Sequence, residues 1–183
     1  MTPLELLEAL KKYCKEITKN MRFFARVPEN GTQAAKRCPA VFIGGLPDKN
    51  SERKAAPYIL LKLLTGKDDD EESTCRVRII CLTYSENKEE NYIQCLNLVT
   101  QIKTRLLEDV VVDNHFSCQK PVEFIVYDDS LEVYQIGEIM TIWEMPKVER
   151  DVSKYLAQGA YTPKQYVTTM EIDTKKYSMQ GDK

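Results

Sequence analysis

The run Asp68-Asp69-Asp70-Glu71-Glu72 is the densest group of ionisable side chains in the 183-residue chain. Adjacent carboxylates suggest two chemistries, calcium binding and general acid/base catalysis. A calcium loop alternates its ligands around a central glycine, and this tract has no such spacing. An acid/base pair needs an environment that pushes its two pKa values apart, and nothing in the neighbouring sequence would desolvate one member. The tract is therefore expected to be the solvated connection of a hairpin. It is also a charged projection on a rigid support, which makes Asp68, Asp69, Asp70, Glu71 and Glu72 interface candidates.

A nucleophilic site is the next possibility. His115 is the only histidine, with Ser117 and Cys118 two and three positions away. A nucleophile needs a base within hydrogen-bond reach and a third group to orient that base. Neighbours in a polar turn do not supply this, so no catalytic residue is assigned and the chain is expected not to be an enzyme. The six cysteines stand at 14, 38, 75, 81, 95 and 118, with no CxxC pair. Zinc sites want four ligands and at least one close pair. No metal and no cofactor is expected, and the thiols read as reduced, apolar core groups. Gly44-Gly45 lacks the lysine and following helix of a phosphate loop, and reads as a strand end or bulge. Trp143, the only tryptophan, shares a strand parity with Ile139, Thr141 and Met145, which makes it a core anchor rather than a stacking platform.

The elements that must position these residues are legible as patterns. Residues 57–145 organise the chain. PYILLKLL leads into the acidic tract, and TCRVRIICLTY alternates after it, with Cys75, Val77, Ile79 and Cys81 on a buried face. Arg76, Arg78, Ile80 and Leu82 take the other face, which starts wet and becomes buried. In 91–107, Tyr92, Cys95, Leu96, Val99, Ile102 and Leu106 recur at three and four, one helical stripe. PVEFIVYD and YQIGEIMTIWEMP read as the closing strands, separated by a turn at Asp128-Asp129-Ser130.

Upstream, Thr2, Pro3 and Glu5 form a helix-start signal, followed by the stripe Leu4, Leu7, Leu10, Cys14 and Ile17. That helix is expected to pack on a sheet edge or on a neighbouring subunit. FFARVP and PAVFIGGLP read as short strands around an Asn30-Gly31 turn, and 48–56 as a polar loop. The fold class is α+β: a mostly antiparallel sheet with one long helix across a face, an N-terminal helix and a C-terminal extension. The domain spans 1–150. Residues 151–183 hold a short helical stretch and then QYVTTMEID, whose Tyr161, Tyr166, Val167, Met170 and Ile172 are too sparse for a second core. They suit an arm that docks elsewhere, and are the remaining interface candidates.

Charged residues make up 30% of the chain and nearly cancel, for a net charge of −2. That balance argues against sequence-specific nucleic-acid binding, which normally shows a basic excess. No apolar run approaches the ~20 residues of a membrane span. The N-terminus carries early acidic residues and no apolar signal block, so a cytoplasmic origin is expected.

PYILLKLLTGKDDDEESTCRVRIICLTY, the helix YIQCLNLVTQIKTRLLED and the closing GEIMTIWEMPKVER resemble a family of small tail-module proteins of tailed phages and prophages. The likeness covers roughly residues 4–150. It rests on apolar patterns with a few fixed points: Pro57-Tyr58, the acidic hairpin and Trp143-Glu144-Met145-Pro146. The layout is similar to that of tail terminator and tail-completion (head–tail joining) proteins. The resemblance implies a structural homo-oligomer, a ring and by family analogy a hexamer, that caps the tail tube and meets the head connector. DNA would pass through such a ring without being read. It further implies assembly in the bacterial host cytoplasm and residence in the virion tail. A neck or connector protein of the same module is the alternative, and a small hydrolase is a remoter one.

Overall fold

The computed structural model describes residues 2–25, 36–46, 56–69, 71–128 and 133–147. The chain divides into two units, Met1–Val148 and Glu149–Lys183, and the described elements all belong to the first. The interface candidates Tyr161, Tyr166, Val167, Met170 and Ile172 lie outside the described residues, as do Asp70, the Asn30-Gly31 turn, nearly all of the 48–56 loop and most of the Asp128-Asp129-Ser130 turn.

Helix α1, Pro3–Thr18, begins as its sequence dictates. The Thr2 hydroxyl accepts from the Glu5 N–H at 3.3 Å, and the Glu5 carboxylate accepts from the Thr2 N–H at 2.6 Å. This reciprocal box satisfies two donors that the first turn would otherwise leave free. The buried face is Leu6, Leu7, Ala9, Leu10, Cys14 and Thr18. Leu4 is 61% exposed, so the predicted stripe is corrected at its first turn, where the capping geometry holds the chain end outward.

The short strands β1 (Phe23–Phe24) and β2 (Lys36–Arg37) pair with each other as a separate two-stranded sheet. The main sheet has β3 (Ala40–Ile43), β4 (Tyr58–Asp68), β5 (Ser73–Tyr84), β6 (Val111–Val112), β7 (Phe116–Val126) and β8 (Tyr134–Glu144). Their order across the sheet is β3-β4-β5-β8-β7-β6. Every pair is antiparallel except β3 with β4. β3 ends at Gly44, whose φ of 74° is glycine territory, so the Gly44-Gly45 pair is a strand end.

Helix α2, Lys88–Glu108, connects β5 to β6 and is capped by Asn87, whose side chain accepts from the Glu90 N–H at 3.2 Å. Its inward residues are Asn91, Cys95, Leu98, Val99, Ile102 and Leu106. The predicted stripe is thus corrected at two places: Tyr92 is 44% exposed and Leu96 is half-buried. Asn91 takes the position that Tyr92 was expected to fill. Its side-chain oxygen accepts from the Thr83 hydroxyl at 2.8 Å, and its amide donates to the Val133 carbonyl at 2.8 Å. The first turn of α2 is held on the sheet by these two bonds, which an apolar pattern cannot show.

Both helices share one face of the sheet, in a core with Ile59, Leu61, Val77, Ile79, Ile139 and Trp143. α1 packs against α2, and against β4 and the outermost strand β3, the edge of the sheet where it was expected. A second cluster on the opposite face gathers Ala56, Tyr58, Leu60, Leu82 and Tyr134. On β5 the parities separate as read, with Cys75, Val77, Ile79 and Cys81 buried and Arg76 exposed. β8 lies between β5 and β7, a central strand.

Candidate interaction surface

β4 runs through Gly66 and Lys67 to Asp68, so the hairpin connection is shorter than the sequence suggested and only 69–72 lie between the strands. Asp69 organises it. One of its oxygens accepts from the backbone N–H groups of Glu71 and Glu72 at 2.9 and 2.8 Å. Its other oxygen lies 2.8 Å from the Lys67 ammonium, which also meets Glu72 at 2.5 Å. The ammonium, reinforced by the Glu72 and Glu71 N–H donors, holds the Asp69 carboxyl down at about 2. The tract is therefore not electrically uniform: Asp69 and Glu72 are partnered on Lys67, while Asp68 and Glu71 stand exposed beside them. This corrects the expectation that nothing nearby separates their pKa values. The cause is a cation two residues before Asp69, and charge pairing of this kind in water is a turn device.

His115 is exposed in a tight turn whose Asp113 and Asn114 have φ of 54° and 59°. Asp and Asn tolerate that left-handed region, and the turn lets β7 begin at Phe116, five residues before PVEFIVYD. β6 and the start of β7 pair across this turn as a small hairpin, Val111 with Ser117 and Val112 with Phe116. His115 faces the Phe116 ring edge-on, and Cys118 is buried. All six thiols are free. Burial pushes Cys14 and Cys95 up to about 12 and Cys118 up to about 11, and raises Cys81 well above its usual value. No group of three or more potential metal-ligating side chains occurs among the described residues.

Trp143 is fully buried. Its indole N–H donates to the Thr141 hydroxyl at 2.8 Å, and that hydroxyl donates to the Val77 carbonyl at 3.0 Å. The tryptophan is therefore an anchor of the core on the helix-bearing face, with its one polar group satisfied.

The surface features that the sequence reading did not single out are the two margins of the sheet. On β4, Leu63 and Leu64 are 40% and 42% exposed, where the register with β5 shifts. On β7, Phe124 and Ile125 are 45% and 49% exposed. They line an open groove of about 550 Å³ with Val122, Glu123 and Met140. The Lys103 ammonium sits 4.5 Å from the Phe124 ring centroid and covers part of it. The signal that could have flagged them was the adjacent apolar pairs Leu63-Leu64 and Phe124-Ile125, where a half-buried strand alternates.

No helix among the described residues is long and apolar enough to cross a membrane. No family model matches the chain, and no curated protein matches it.

Proposed function

We propose that the chain is a structural subunit of a phage or prophage tail, a tail-terminator-like protein. It caps the tail tube as a ring of copies and presents a surface to the head connector. In this role it performs no catalysis and needs no cofactor. It acts in the bacterial host cytoplasm during assembly and then as part of the virion tail, with DNA passing through the ring. The observation that carries this reading is a rigid sheet, buttressed on one face by two helices, whose two margins carry exposed apolar side chains. Such margins are a liability in a monomer and useful in an assembly. The charged hairpin at 69–72 adds a projection suited to an interface or a lumen, and the arm at 151–183 adds a segment that can reach a neighbour.

Deletion of the gene from an inducible prophage tests it, with particles inspected by electron microscopy. The expected result is filled heads and unjoined tails of uncontrolled length, restored by the gene in trans. Tails of normal length detached from heads would move the role to the neck. Complete, infectious particles would overturn the reading.

A further inference from the structure

Among the described residues the sheet is open on both flanks, and the two open stretches match each other. β3 covers β4 only along Tyr58 to Leu61, although β4 continues to Asp68. β6 covers only Phe116 and Ser117 of β7, which continues to Val126. On the sides away from β5 and β8, no other described strand flanks 62–68 of β4 or 119–126 of β7.

Hydrogen bonds fix which backbone groups look outward. The Tyr127 N–H donates to the Ile136 carbonyl at 3.0 Å, so antiparallel alternation turns Phe124 and Val126 away from β8. On β4 the Leu61 carbonyl accepts from Gly44 at 2.8 Å, which places Leu61 and Leu63 on the outer side. Beyond the bulge, the Asp69 N–H donates to the Glu72 carbonyl at 2.9 Å, and the same alternation turns Gly66 and Asp68 outward.

Side chains repeat the match face by face. Leu63 lies opposite Val77 and Phe124 opposite Ile139, so both stand on the helix-bearing face. On the other face stand Lys62 and Lys67 of β4, and Glu123 and Ile125 of β7. The helix-bearing face thus offers an apolar side chain at each margin, and the other face offers opposite charges.

We propose that β4 of one copy adds to β7 of the next, joining the sheets of neighbouring subunits; this deepens the ring reading and rests on it. Within one sheet β4, β5, β8 and β7 alternate in direction, so β4 and β7 run oppositely. A neighbour set edge to edge in the same orientation therefore brings antiparallel strands together, with both helix layers on one side. Leu63 then packs beside Phe124, and Lys62 on the other face lies diagonally across from Glu123. The contact is heterologous, since two different edges meet, and repeated by rotation it closes a ring.

Two paired substitutions test it, Leu63→Lys with Leu64→Lys and Phe124→Lys with Ile125→Lys. All four side chains are exposed, so unchanged circular dichroism and melting temperature should accompany both. Light scattering on the full chain should show wild-type oligomers and two variants that each remain at 21.2 kDa. Mixed, the variants should give a species of twice that mass and nothing larger, because each retains one working edge. A β4 variant that still dimerises alone would mean that β7 pairs with itself, and would overturn the proposal. Oligomers that survive both substitutions would also overturn it, while leaving the ring reading to the tail phenotype. A wild-type protein that stays monomeric at all concentrations would overturn it as well.

Discussion

Trp143 shows how much one side chain can settle. It is fully buried, and removing its indole leaves a large cavity in the core and leaves the Thr141 hydroxyl without its donor. Trp143→Ala should cost about 3–5 kcal/mol, measured by denaturant unfolding. A loss below ~1 kcal/mol would mean that the pocket collapses or the residue is dispensable. The thiols give a second expectation. Five of the six are buried, and Cys38 alone is partly exposed. Since the thiolate is the reacting form, burial both raises the pKa and denies access. A chromogenic disulfide at pH 8 should titrate one thiol quickly in the native protein and all six in denaturant. Two or more fast thiols would show that the core around Cys14, Cys81 and Cys95 opens readily. At this scale the sequence was informative: parity alone placed Trp143, Cys75 and Cys81 inside, because successive side chains of a regular strand alternate between its two faces.

At the scale of elements, local signals were legible and long-range ones were not. The capping box of α1 lies within four residues and was read correctly. The phase of α2 was not, because its buried first turn is anchored by the polar Asn91, whose partners Thr83 and Val133 lie on other elements. Apolar spacing from Tyr92 offered a second, equally regular stripe. The close seat of α2 on β8 also depends on a residue that no periodicity marks. A Cβ on Gly137 would lie 2.6 Å from Val99 Cγ2 and 3.0 Å from Cys95 Sγ. Gly137→Ala should therefore push the helix outward at a cost of about 1–3 kcal/mol. Adding Val99→Ala should recover part of that loss, since the two sites share one contact. Simple additivity of the two melts would contradict the close approach. The acidic hairpin has its own expectation. The folded pKa of Asp69, about 2, lies below its ordinary 3.8. Its ordering effect is thus fully present above about pH 4 and is lost as pH falls through the folded value. Titration of the Glu71 and Glu72 amides by NMR should show a common midpoint near that value. Asp69→Ala, which removes the acceptor, should disorder the turn, whereas Glu71→Gln should leave it intact.

For the whole molecule, the sheet order decides what a strand list leaves open. That β8 lies between β5 and β7, that β3 pairs parallel, and that both margins stay partly uncovered all follow from topology. Topology is set by which faces can be buried together, and one sequence does not display that. The unit Met1–Val148 holds both apolar clusters with the sheet and both helices. Residues 149–183 form a separate unit, and their sequence offers few large apolar side chains. Ordering a segment costs roughly 1–2 kcal/mol per residue in backbone entropy. Tyr161, Tyr166, Val167, Met170 and Ile172 are too few to offset this on one subunit's surface, and a neighbour's groove or edge can add contacts. Truncation after Asp151 should accordingly leave a folded domain with one cooperative thermal transition, while complete particles are lost in the complementation assay. A truncated chain that aggregates or melts without cooperativity would make the segment part of the fold. A truncated chain that still yields complete particles would leave the sheet margins as the sole assembly contacts.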